Sequence, residues 1–346
     1  MIPVFDGHND FLQRAVASGP AVWLNGDGTG HLDLPRARAG GLVGGFFAIW
    51  IPAPMNPNDA AAVALMENPP YAMPLPEEIP FHAALPHAFA QATALKALER
   101  TGTLDIVTSA RGLRETVAAG RIAAIMHMEG AEAIPDMDAL HLWHAAGLRS
   151  LGPVWSRPTA YAEGVPFAFP STPDTGAGLT DAGKTLVREC NSLRIMLDLS
   201  HLNEAGFNDV AALSDAPLVA SHSCVHAISE SSRNLTDRQL QVIADSGGLV
   251  GLNFASSFLR PDGRRLPLEG FDTMLRHLDH LLAIMGEDGV ALGSDFDGAL
   301  MPRDLPDAAA LPALIGAMQD HGYGEPLIRK IASENWITLL ERTWGE

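Results

Sequence analysis

Five short segments of this 346-residue chain carry side chains that bind metals or move protons. They are Asp6-Gly7-His8-Asn9-Asp10, His127-Met128-Glu129-Gly130, Asp198-Leu199-Ser200-His201, Ser221-His222-Ser223 and Gly293-Ser294-Asp295-Phe296-Asp297-Gly298. Residues two apart on a strand share a face, so His8 and Asp10 can both point to one mouth. His, Asp and Glu converging there can hold two divalent ions, and a bridging carboxylate with imidazole nitrogens suits zinc. Each segment alone is weak, because a single strand-end histidine is more often a satisfied core residue. Five on different strand ends together predict a metal site.

The other candidates are poorer. His127 shares a strand face with Glu129 and is expected to support the site or fill the core. His277 and His280 lie on a helical pattern, His82 and His87 fall in or near a proline-rich stretch, and His31, His141, His144 and His321 have no partner motif. The only lysines, Lys96, Lys184 and Lys330, all lie in helical patterns. A carboxylated strand-end lysine, the bridge in many two-metal barrel hydrolases, is therefore excluded, and Glu129 is the candidate bridge.

Eight short apolar runs must position these residues: Ile2–Phe5, Leu42–Ile51, Ile122–Met128, Leu148–Trp155, Leu193–Leu199, Leu218–Ala220, Leu249–Phe254 and Val290–Leu292. Most are nearly continuous in apolar residues, as in parallel strands buried on both faces. Helical patterns such as Ala88–Arg100, Ala182–Asn191 and Gly270–Met285 lie between them. Eight alternations predict a (β/α)8 TIM barrel formed by residues 1–346 as one domain. Two long βα connections, about 52–86 and 157–178, are expected at the C-terminal mouth as lids. The first holds nine of the 25 prolines. The tail after Ala299 adds little to the pattern.

Composition narrows the partners. The chain is 47% hydrophobic, and its 41 acidic against 23 basic residues give a net charge of −18. That charge repels nucleic acid and anionic membranes. The uncharged stretch 39–58 has an apolar centre about half as long as a spanning helix requires, so it reads as a buried strand. Cys190 and Cys224 give neither a disulfide framework nor a metal pair by spacing. The N-terminus lacks a basic and apolar leader, and a cytoplasmic location is expected.

Asp6-Gly7-His8-Asn9-Asp10, Met128-Glu129-Gly130, Asp198-Leu199-Ser200-His201, Ser221-His222-Ser223, Arg233-Asn234-Leu235 and Gly293-Ser294-Asp295-Phe296-Asp297-Gly298 together resemble the membrane (renal) dipeptidase family, metallopeptidase family M19. The likeness runs in order from residue 6 to about 298. It implies a zinc dipeptidase with two ions: His8 and Asp10 on one, His201 and His222 on the other, and Glu129 bridging. It further implies that Arg233 receives the substrate's terminal carboxylate and that Asp295 transfers protons, Asp297 being the weaker claimant. Dipeptides with a D-residue at the C-terminal position are the implied substrates, and a homodimer the implied assembly.

The chain departs from the family pattern twice. A histidine that helps hold the scissile carbonyl is replaced by Trp155, whose indole N–H can donate only one hydrogen bond. The family's Asn-Phe-Tyr reads Asn253-Phe254-Ala255, removing a pocket tyrosine. Two other functions fit the same residues: hydrolysis of another amide or a lactam on this barrel, and metal or peptide binding without turnover. The complete ligand set and Asp295 count against the last.

Overall fold

The eight apolar runs, dry on both sides, have few polar groups with which to face water, and they pair edge to edge in parallel. In the computed structural model, which describes residues 1–53 and 59–345, they form strands β1 (Val4–Asn9), β2 (Leu42–Trp50), β3 (Ile122–Glu129), β4 (Leu148–Gly152), β5 (Met196–Leu197), β6 (Val219–Ser223), β7 (Leu249–Asn253) and β8 (Val290–Gly293). β1 to β5 pair in chain order, as do β6 to β8. Parallel bridges Asp198↔Val219 and Asn9↔Phe296 join the two arcs at both seams. The fold is the mixed α/β barrel expected from the alternation.

The helices between strands pack a buried stripe against the barrel. Asp237–Asp245 starts at a capping box in which Thr236 and Gln239 satisfy one another's orphan groups, and it buries Leu240 and Ile243. The tail does more than the sequence suggested: helix Asn335–Trp344 closes a second core cluster around Phe5, Phe46, Ile125 and Trp336. The Trp336 indole N–H donates to the Leu292 carbonyl at 2.9 Å.

Both long connections carry regular structure. The described part of the first contains helix Ala60–Met66 and strand Tyr71–Ala72, which pairs antiparallel with Ala168–Phe169 of the second. Residues 54–58 of the expected lid lie outside the described residues. The expected helix from Ala88 begins at Phe81 and runs through Pro86. That proline removes one N–H early in a 19-residue helix, a loss offset by burial of Ala84, Ala88, Leu95 and Leu98. A strand Leu104–Ile106 beside β3 was not foreseen; three residues carry too little pattern.

His277, on helix Asp272–Met285, is fully buried. Its Nδ1 accepts the Val225 N–H at 3.1 Å and its Nε2 donates to the Leu259 carbonyl at 2.9 Å. Burial pushes its pKa down to about 4. The folded chain thus keeps this ring neutral where the unfolded chain takes a proton. Its contribution is complete above about pH 6.5 and falls by about 3 kcal/mol as pH drops toward 4. Urea unfolding of the metal-free protein at about pH 7.5 and about pH 5 checks this: His277→Gln should lose that part of the pH slope.

Candidate metal centre

Strand alternation does not bring His8 and Asp10 together. β1 shifts register between Asp6 and Asn9, and Asp10 has left the strand for the N-cap of helix Phe11–Ser18. The turn itself swings Asp10 back, so that its Oδ2 lies 3.6 Å from His8 Nε2. Glu129 closes β3, and its Oε1 lies 3.6 Å from His8 Nε2, 3.0 Å from His201 Nε2 and 3.4 Å from His222 Nε2. His201 stands beyond β5, which spans only Met196–Leu197 rather than the expected run to Leu199. Three of the expected ligands, His8, His201 and His222, therefore meet around one oxygen of Glu129, Asp10 lies against His8, and all five are buried.

Hydrogen bonding sets the rings. Ser221 Oγ donates its one proton to Asp198, so the His222 Nδ1 at 2.8 Å must be the donor to that oxygen. This leaves the His222 Nε2 lone pair aimed inward. Ser156 Oγ lies 2.9 Å from His201 Nδ1 and orients the second ring. The two inward Nε2 atoms are 3.3 Å apart, and both His8 ring nitrogens are buried without a hydrogen-bond partner. An inward lone pair on His222 and an unpartnered His8 ring beside buried carboxylates are what divalent cations would satisfy, and the O/N donor set suits zinc.

The field agrees. Burial, aided by the positive charges of His8 and Arg233, holds His201 and His222 well below the usual imidazole range, and therefore neutral. Burial also drives Glu129 well above the carboxylate range; His8 opposes the shift, while Asp10 and Asp295 reinforce it. Such a crowd of acids calls for added positive charge.

Asp295 follows β8 in a left-handed conformation, φ 61°. Its Oδ2 accepts from Asn253 Nδ2 at 2.9 Å, and the Ala255 N–H at 2.6 Å from Asn253 Oδ1 fixes which way that amide points. A Cβ on Gly298 would overlap both Asp10 Oδ2 and Asp295 Oδ1, so glycine is required where these carboxylates approach.

Arg233 is buried, with Nη1 3.0 Å from Ser223 Oγ and Nη2 2.9 Å from the His222 carbonyl. Its Nε is buried without a partner, and no acid lies within ion-pair distance among the described residues. Trp155 sits edge-on to Trp50 at 5.3 Å and tilted over His201 at 5.9 Å. With Met66, Phe167 and Phe258 these indoles wall a cleft whose floor includes Glu129 and Asp295. His127 packs edge-on against His8 behind this cluster, its Nδ1 2.8 Å from Ser150 Oγ and its Nε2 3.6 Å from Asp198 Oδ2, and with His8 and Asp198 it forms a further possible ligand group.

Several positioning groups escaped the sequence reading. Asp198 ties β5 to β6 through Ser200 and Ser221, and Asp6 ties β1 to β8 through Ser294 N–H at 2.7 Å and Oγ at 2.8 Å. Both aspartates stood inside the motifs, so a signal existed. Asn253 stood in the Asn-Phe-Tyr pattern, which does not reveal that it anchors Asp295, and Ser156 gave no signal, because its partner His201 is far away in sequence.

The model of the membrane dipeptidase family (peptidase family M19) matches residues 1–344. A metallopeptidase from Rhodobacter sphaeroides, solved with a phosphinate mimic of the dipeptide L-Ala-D-Ala, is 59% identical with a TM-score of 0.98 over 99% of each chain. A solved dipeptidase AC, a metallopeptidase of family M19, is 58% identical with a TM-score of 0.97, covering 100% of this chain and 99% of that one. An uncharacterized protein in the pqqA 5′ region of Klebsiella pneumoniae is 44% identical over 246 residues, which is 71% of this chain and 91% of that protein. No helix among the described residues is long and apolar enough to cross a membrane.

Proposed function

Since this chain belongs to the membrane dipeptidase family, peptidase family M19, and is a metallo-dipeptidase, we propose that it uses two zinc ions to hydrolyse dipeptides bearing a free C-terminal carboxylate. A D-residue is accepted at the C-terminal position; the phosphinate ligand of the Rhodobacter relative supports this. The observation that carries the reading is the convergence of three buried imidazoles, His8, His201 and His222, on Glu129 Oε1.

His8 and Asp10 would hold one ion, His201 and His222 the other, and Glu129 both. Such ions supply Lewis acidity, polarising a carbonyl oxygen and lowering the pKa of water toward neutrality. The protein's own groups do the rest. Asp295 accepts the proton of the attacking water and returns it to the leaving amine. Asn253 anchors one oxygen of that carboxylate and leaves the other for the proton. Arg233, held by Ser223 and the His222 carbonyl, offers its remaining donors to the terminal carboxylate. The indole wall of Trp50 and Trp155 excludes water around the scissile bond.

The test is hydrolysis of L-Ala-D-Ala and L-Ala-L-Ala by zinc-loaded and chelator-stripped protein. Zinc-dependent cleavage favouring the D-terminal dipeptide is expected. No cleavage of either by protein carrying two zinc ions overturns the reading and points to another amide, with Trp155 the first position to change.

A further result concerns Arg233. Its loss removes a charged hydrogen-bonded partner, so Arg233→Met should raise KM by about 10–100-fold and Arg233→Lys by less. Dipeptide amides distinguish the cause: wild type should discriminate against them, and Arg233→Met should not.

A further inference from the structure

Asp297 is the second acid after β8, and its carboxylate is already engaged. Arg14 Nη1 lies 3.2 Å from Asp297 Oδ2, and the same nitrogen donates to the Leu32 carbonyl at 2.8 Å. Its Nη2 reaches Asp27 at 2.6 Å and the Thr29 carbonyl at 2.8 Å. The His31 N–H donates to Asp297 Oδ1, and the Asp297 N–H donates back to His31 Nδ1 at 2.9 Å. The Asp297 side chain is 1% exposed and that of Arg14 17%. A Cβ at Gly30 would overlap both the guanidinium and the carboxylate.

The placement of these residues gives the network its meaning. Arg14 rides on helix Phe11–Ser18, which starts directly after Asp10. Asp297 stands two residues after Asp295, at φ 68°, a left-handed conformation that its side-chain and backbone bonds to His31 and Arg14 hold in place. The ion pair thus spans the seam where β1 meets β8, with one proposed metal ligand on one side and the proposed proton carrier on the other. The buried Asp297 carboxylate needs its partners, and the guanidinium is tied to Leu32, Thr29, Asp27 and Asp297 at once, so the part-buried pair behaves as a fixed strut, unlike a lone surface bridge.

We propose that Arg14, Asp297 and His31 form a clamp that sets the spacing of Asp10 and Asp295, making Arg14 and Asp297 positioning residues for the reaction. This rests on the roles given to Asp10 and Asp295 above. Without the clamp, the turn after β1 and the turn after β8 relax independently, which loosens the metal at Asp10 and misaligns Asp295.

The test compares Arg14→Met, Arg14→Lys, Asp297→Asn and the double variant Arg14→Met/Asp297→Asn with wild type. It reads zinc retained per chain during timed exposure to a chelator, kcat and KM for L-Ala-D-Ala, and thermal unfolding. Glu325→Gln, which breaks an exposed pair with Arg329, is the control. The expected result is zinc release about 10–100-fold faster and kcat lower by a similar factor, with KM within about threefold. The double variant should be no worse than Arg14→Met alone, the mark of two residues acting as one unit. Arg14→Lys keeps the charge but cannot reach Asp27, Leu32 and Asp297 together, so it should show the defect in a folded protein even where Arg14→Met does not fold. Wild-type zinc retention and kcat in folded Arg14→Lys and Asp297→Asn overturn the clamp, as do additive losses in the double variant. Wild-type protein that binds zinc but cleaves no dipeptide sinks the dipeptidase reading instead, and zinc release then decides the clamp alone.

Discussion

Asp295→Asn is expected to lower kcat by about 10²–10⁴-fold, the usual worth of a positioned proton carrier, while leaving the zinc content unchanged. The substitution is nearly isosteric. Its side-chain oxygen can still accept from Asn253 Nδ2, so the anchor at 2.9 Å survives. The other terminus becomes an NH2 group, which cannot take a proton from water. The left-handed turn is also kept, since Asn tolerates that conformation about as well as Asp. Because Asp295 lies near His8 and His222 in a possible ligand cluster, metal analysis must accompany the kinetics. Lost turnover with two zinc ions kept supports proton transfer. Lost zinc makes Asp295 a ligand, and kcat within about threefold of wild type removes the role altogether.

Glu129→Gln should be more damaging still. Its Oε1 is the atom on which His8, His201 and His222 converge within 3.6 Å. A neutral amide cannot offset two adjacent cations, and their mutual repulsion then opposes double loading. Replacing an outlying partner of a metal ligand costs roughly 10–100-fold in affinity, so losing the shared carboxylate should cost more than that. Titration with zinc should show at least one ion lost at concentrations that saturate wild type, and turnover should fall with it. The metal-free variant should unfold at a temperature no lower than metal-free wild type, because the amide replaces a carboxyl whose charge the buried pocket resists. A large drop in that temperature, or undiminished zinc binding, would count against the bridging role.

Much of the site was legible because the ligands are carried by strand ends. A continuous apolar run reports its own burial, and the polar residue that breaks it at the C-terminal end has only the barrel mouth to occupy. That logic put the segments carrying Glu129, His201, His222 and Asp295 at one mouth, where the structure brings them together, and the shortage of lysines made Glu129 the candidate bridge; the separate roles of the others were implied by the family resemblance. The same logic found Asp10 for a mistaken local reason: the residue is in a turn, with β1 irregular before it.

Sequence by itself determined the eight-strand alternation, the identity of the converging acids and histidines, and the family. These are written in local pattern, in side-chain burial and in motifs whose order survives along the chain. Tertiary structure alone decided which serine orients which imidazole, that Asn253 anchors Asp295, that Arg233 has no acidic partner among the described residues, and that Arg14 reaches Asp297 across 283 residues. Each is a hydrogen bond or ion pair, effective only within about 3–4 Å and strongly directional. Two segments far apart in sequence reach that distance only when the barrel closes, and nothing in either segment alone records that the other is there.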